Sequence, residues 1–225
     1  MTSRCSSRRN QAITLTDVFL IVIILFVLAV ILLPSFVRPR RHEGPSCVLN
    51  LMQIGLAAKI WANDHDDRYP FELSVTNGGT MELNNGRKVW LNFLVMSNEL
   101  ATPKILTCPE DKNRQPSCAN FSPEIAGHVS YFIGLDARPN QTKRILSGDD
   151  NLVVNGIRVR PGILNVSTNV SVEWTKERHH SFGNTLFAGG YVLSEGSSQY
   201  PPPPFRGLQQ ALEQTSLATN RLAIP

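Results

Sequence analysis

Charge is scarce in this chain of 225 residues: Asp, Glu, Lys and Arg make up 18% of it. Cysteine is scarcer still, with four, too few for a small domain held by disulfides in place of a core. No GxSxG, HExxH, P-loop or paired-carboxylate pattern occurs. Local spacing therefore places no nucleophile elbow, zinc-protease helix or phosphate cradle. No internal repeat occurs either, which excludes a solenoid. A basic surface is also missing, although the net charge is +4. Residues 1–42 hold six Arg and one acid, whereas residues 43–225 hold 16 bases against 17 acids. The body of the chain is not basic, which argues against a nucleic-acid partner. What remains is 42% apolar residues, enough at this length for a buried core.

The apolar residues are unevenly spread. Val18 to Leu33 is an unbroken run of sixteen. Ile13 to Leu33 is 21 residues, about 30 Å as a helix, close to the thickness of a bilayer core. The run ends in Leu-Leu-Pro-Ser-Phe without a small-x-small cut site, so it reads as a retained anchor rather than a cleaved secretory signal. The expectation is a transmembrane helix over 13–37 with membrane lipid as its partner. Arg4, Arg8 and Arg9 precede the run and Arg38, Arg40 and Arg41 follow it, so the charge rule barely orients it. Asp17 reads in two ways. It is either a first-turn residue at headgroup depth that suits the helix dipole, or one half of a charge pair.

Arg8-Arg9-Asn10-Gln11-Ala12 followed by Ile13-Thr14-Leu15-Thr16-Asp17-Val18 resembles the leader and helix start of type IV pilins and type II secretion pseudopilins. Ala12 stands where that family usually has Gly, Ile13 where it has Phe, and Asp17 where it has Glu. Cys47–Ala57, Trp61–Asp64, Ser97–Leu100, Pro103–Pro109, Ser130–Asp136 and Ala218–Ala223 are similar, as an ordered set, to pseudopilin-like proteins of planctomycete- and verrucomicrobia-type bacteria. Leu186–Val192 resembles the family's Ala-Asp-Gly-Ser-Val strand end, with Gly189 in place of Asp. The resemblance implies cleavage between Ala12 and Ile13 by a prepilin peptidase, and methylation of the new N-terminus. It implies packing of the helix with other pilin-like subunits through the Asp17 charge. It also implies a bacterial inner-membrane location with a cytoplasmic N-terminus and the domain periplasmic or surface-exposed.

Beyond the run, Pro39, Gly44 and Pro45 predict a break. Ser46 reads as an N-cap for a helix over Cys47–Asn63. Leu49, Met52, Leu56 and Ile60, together with Leu51, Ile54, Ala58 and Trp61, read as one wide apolar face turned toward a sheet. Lys88–Leu100 predicts a short helix. Ser130–Leu135, Asn151–Val154, Ile157–Val159, Val170–Trp174 and Asn184–Leu193 predict strands, and Asn155-Gly156 predicts a two-residue hairpin turn. Pro201–Pro204 predicts a polyproline spacer, and Leu208–Leu222 a C-terminal amphipathic helix. The fold class expected is α+β: an N-terminal transmembrane helix, then a helix packed on a mostly antiparallel sheet, with a C-terminal helix. The divisions expected are a leader over 1–12, the membrane helix over 13–37, a juxtamembrane break over 38–46 and a pilin-like domain over 47–225.

Candidate chemistry is thin. Cys5 lies in the leader. Cys47, Cys108 and Cys118 allow three single disulfide pairings, and spacing does not choose among them. No spacing brings a His to a cysteine, and His179-His180 reads equally as a strand-end surface pair. Asp64-His65-Asp66-Asp67 and Asp149-Asp150-Asn151 are acidic turns without the alternating pattern of a calcium loop. No metal, cofactor or catalytic residue is therefore expected. The functional expectation is a non-enzymatic structural subunit of a type II secretion or type IV pilus-like assembly. The alternative is a membrane-anchored periplasmic binding or adaptor module no longer competent to assemble. A third reading, an anchored hydrolase using His179, His180 or the acidic turns, lacks an assembled site.

Overall fold

The computed structural model describes residues 15–36, 44–84, 87–114, 118–196 and 208–225. The chain divides into two compact units, Met1–His42 and Glu43–Pro225. The leader, Ala12, Ile13, residues 38–43 of the expected break and the Pro201–Pro204 spacer lie outside the described residues. The rest of that break is corrected, because Gly44, Pro45 and Ser46, the last expected as an N-cap, already belong to the helix Gly44–Asn63.

In the first unit, α1 spans Leu15–Phe36 with Asp17 in its first turn. Its side chains are described from Leu15 to residue 29, and all of them are exposed. The expected transmembrane helix is corrected here: among the described residues, no helix is long and apolar enough to cross a membrane.

The second unit is α+β. Its helices are α2 (Gly44–Asn63), α3 (Trp90–Val95), α4 (Ser97–Leu100) and α5 (Gln209–Gln214). The strands are β1 (Tyr131–Gly134), β2 (Ile145–Asp149), β3 (Leu152–Val154), β4 (Ile157–Arg158), β5 (Gly162–Ser167), β6 (Val172–Trp174), β7 (Phe182–Phe187), β8 (Val192–Gly196) and β9 (Thr219–Ile224). Six strands form a sheet in the order β5-β9-β1-β2-β7-β8, and three form a second in the order β4-β3-β6. Every pair is antiparallel.

The larger sheet is covered on both faces. Strand side chains alternate in direction, so Tyr131, Ile133, Leu146 and Leu186 join α2's Leu51, Ile54, Ala58 and Trp61 in one buried cluster. Phe132, Ile145 and Phe187 point the other way. They bury against Leu208, Ala211 and Leu212 beside α5, and against Leu152, Val172 and Trp174 of the small sheet. Burial on both faces explains why β1 and β2 are buried at every position.

Several expectations are corrected by these elements. The C-terminal helix is a short α5 followed by β9, because the chain turns at Ser216, where φ is +56°. The single strand expected over Asn184–Leu193 is the hairpin β7–β8, turned at Gly190 with φ +89°. The helix expected over Lys88–Leu100 is divided into α3 and α4 at Met96. The Asn155-Gly156 turn forms as expected: Val154 pairs with Ile157, and both turn residues have positive φ, the requirement of a type I′ turn.

Gly183 in β7 fixes how closely the two sheets approach. A Cβ there would lie 2.0 Å from the Trp174 indole, which is buried and cannot swing away. Gly183→Ala is expected to destabilise the fold by about 3 kcal/mol, measured by urea unfolding.

Candidate functional site

Four buried side chains from distant parts of the sequence meet where α2 begins beside the larger sheet. Cys47 lies in the first turn of α2, and Cys108 follows the 3-10 turn Pro103–Leu106. Asp149 ends β2, and His179 opens the one-turn segment that leads into β7. Each offers one ligand-type atom, and these atoms all lie within 4.8 Å of one another. His179 Nε2 is 3.2 Å from Cys108 Sγ and 3.7 Å from Asp149 Oδ2.

The surroundings hold these groups in place. Asp149 Oδ2 accepts from the Asn184 backbone N–H at 2.9 Å and from the Asn184 side-chain amide at 2.8 Å. Asp149 Oδ1, fully buried, has no hydrogen-bond partner among the described residues. His179 Nδ1 lies 3.0 Å from Glu110 Oε2, an ion-pair contact whose angle is poor for a hydrogen bond. The same carboxylate oxygen accepts from the His179 backbone N–H at 2.5 Å. His179, His180 and Ser181 all have positive φ, at +49°, +52° and +73°. Three consecutive left-handed residues that are not glycine are strained, and the strain turns His179 inward while His180 stays exposed.

A buried ion network sits next door. Arg178 Nη2 contacts Asp111 Oδ2 at 2.7 Å and Asp150 Oδ1 at 2.6 Å. Arg114 pairs with the same two carboxylates. Ser130 Oγ donates to Asp111 Oδ2 at 2.8 Å.

The local environment sets the protonation of these groups. Contact with the Cys47 thiol, then burial, pushes the Cys108 thiol far above its usual value. Burial raises the Asp149 carboxyl against the opposing His179, Asn184 and Arg178. Burial alone would lower His179. The hydrogen bond to Cys108 and the charges of Asp149 and Glu110 outweigh it and hold His179 up to about 9. Near neutral pH this leaves a protonated His179 imidazole beside a neutral Cys108 thiol and the buried Asp149.

Of the residues singled out from sequence, Cys47 and Cys108 come together as free thiols, and Cys118 is a third, outside the group. Asp17 lies in the first turn of α1. The Asp64–Asp67 turn stays at the surface, where His65 stacks on Trp61 at 3.6 Å. Asp149 and Asp150, expected as a solvated turn, are buried. Sequence reading missed that His179, Asp149 and Cys108 meet. They are up to 71 residues apart, so no local spacing could reveal them. The chain matches no family model, no curated protein and no solved structure.

Proposed function

We propose that this chain is a structural subunit of a pilin-like assembly and acts by packing against copies of itself rather than by catalysis. One observation carries this reading: α2 is apolar on two opposite faces. Leu51, Ile54, Ala58 and Trp61 are buried. Leu49, Met52, Leu56 and Ile60 are 55%, 43%, 61% and 45% exposed. Their spacing of three and four residues puts them on one stripe, turned about 180° from the core-facing one. A helix with one face toward solvent normally carries polar residues there, and a contiguous apolar patch on a soluble face marks an interaction site.

The occupant that fits the stripe is a second copy of the chain. The chain itself supplies apolar helical surface, on the outer face of α2 and in the exposed run Val18–Leu28 of α1. The resemblance of residues 8–18 to pilin leaders points to the same mode, in which neighbouring subunits meet through N-terminal helices. A type II secretion or type IV pilus-like machine is the setting this favours.

The test uses the full chain with Leu49, Met52, Leu56 and Ile60 all replaced by Gln, which keeps helix propensity. Sedimentation is expected to show the wild type as an oligomer and the variant as a monomer with unchanged circular dichroism. A wild type that stays monomeric at all concentrations, as an adaptor module would, contradicts the proposal.

A further inference from the structure

We propose that Cys47, Cys108, Asp149 and His179 form a structural site for one divalent, thiolate-binding transition-metal ion of the Zn2+ type. This inference is independent of the assembly reading. It stands on the donor set and its geometry.

The four donor atoms are already gathered within 4.8 Å of one another. In a tetrahedral centre with bonds of about 2.0–2.3 Å, the ligand atoms lie about 3.3–3.8 Å apart. Small side-chain movements therefore suffice, and the backbone can stay in place. Two sulfurs, one imidazole nitrogen and one carboxylate oxygen suit Zn2+ and exclude Ca2+ and Mg2+, which take oxygen shells. Four protein ligands leave no open position, so the site would be structural rather than catalytic.

Three neighbouring features fit an ion better than an empty core. Asp149 is a fully buried carboxylate whose Oδ1 has no hydrogen-bond partner among the described residues, a cost that coordination to a cation would offset. Glu110 Oε2 lies 3.0 Å from the far nitrogen of His179 without a hydrogen bond, close enough that a small turn of the ring would make it the outer carboxylate that orients a metal-bound histidine and leaves Nε2 facing the ion. Cys47 sits in the first turn of a 20-residue helix, where the dipole favours a thiolate. Binding converts both thiols to thiolates and takes the Nε2 proton from the His179 imidazolium, and these three protons go to solvent. The bound ion would tie the start of α2, the Cys108 loop, the end of β2 and the lead into β7 to one point.

A Cys47–Cys108 disulfide is the competing use of the same sulfurs, and the experiment separates the two. Full-length protein purified without chelator is assayed for metal by mass spectrometry. Its thiols are then mapped by alkylation under non-reducing conditions. The expected result is about one Zn2+ per chain, with Cys47 and Cys108 both reduced. X-ray absorption of the wild type should show two sulfurs at about 2.3 Å and two lighter ligands at about 2.0 Å. This reading needs no variant to fold. Cys108→Ser should lose the metal, Cys118→Ser should keep it, and Glu110→Gln should weaken it about 10-fold or more. A metal-free chain, a mapped Cys47–Cys108 disulfide, a shell without sulfur, or full metal content in Cys108→Ser would each overturn the proposal.

Discussion

Arg178→Met is expected to lower the free energy of unfolding by about 3–5 kcal/mol. The guanidinium is 4% exposed and bridges Asp111 and Asp150, whose side chains are equally enclosed. Removing it leaves two buried carboxylates sharing Arg114 alone. Burial already raises the Asp150 carboxyl, and Arg178 is the first of the charges that oppose this rise. Met matches the length of the lost stem and supplies no charge, so the effect reports the broken pairing rather than a cavity. A comparison is built into the same molecule. Arg158 pairs with Glu177 at 3.0 Å, but both are about half exposed. Arg158→Met should change stability by less than about 1 kcal/mol. Denaturant unfolding of the two variants side by side checks the contrast, and equal effects would show that burial does not govern these pairs.

Glu195→Gln is expected to stabilise the protein at alkaline pH and to flatten its pH dependence. Glu195 is a buried acid in β8 near α5. Burial, with the Glu213 charge adding to it, pushes its carboxyl up from 4.5 to about 8. The folded state therefore holds a proton that the unfolded chain releases near its ordinary value. The stabilising contribution is complete below about pH 4.5 and is lost as the pH rises through about 8. A tenfold difference in proton affinity between the folded and unfolded chain is worth about 1.4 kcal/mol. After allowance for relaxation around the charge, the wild type should lose about 2–4 kcal/mol between about pH 5 and pH 9 from this group. Gln cannot ionise, so the variant should lose little over the same range. Unfolding midpoints measured across that window decide it, and parallel curves for the two proteins would contradict the assignment.

The segments legible in the sequence are those with a local signal. Asn155-Gly156 fixed its own turn, and the apolar spacing from Leu51 to Trp61 marked the core side of α2. The same spacing misled on Leu49, Met52, Leu56 and Ile60. Periodicity identifies a face but not what covers it, and the two sets merged into one wide stripe. β9 was hidden because Leu208, Ala211, Leu212 and Leu217 fall at helical intervals. The left-handed Ser216 that stops α5 carries no glycine or proline to announce it. β2, Ile-Leu-Ser-Gly-Asp, has no alternation to read because it is buried on both faces. The buried centre was the least legible. Its four residues come from α2, a loop, a strand end and a strained turn. Pairing of β2 with β7 brings Asp149 toward His179, while packing of α2 on the sheet and the Ser130–Leu106 backbone hydrogen bond bring in Cys47 and Cys108.

Cysteine cross-linking along α2 tests the central claim, self-assembly through the outer face of that helix, most directly. Leu56→Cys is placed in a full chain with Cys5 and Cys118 changed to Ser, while the buried Cys47 and Cys108 are left in place. Lys176→Cys, at an exposed position outside α2, serves as the control. Mild oxidation is expected to give covalent dimers from Leu56→Cys and none above background from Lys176→Cys. Dimers in equal yield from both sites, or from neither, would contradict assembly through this face.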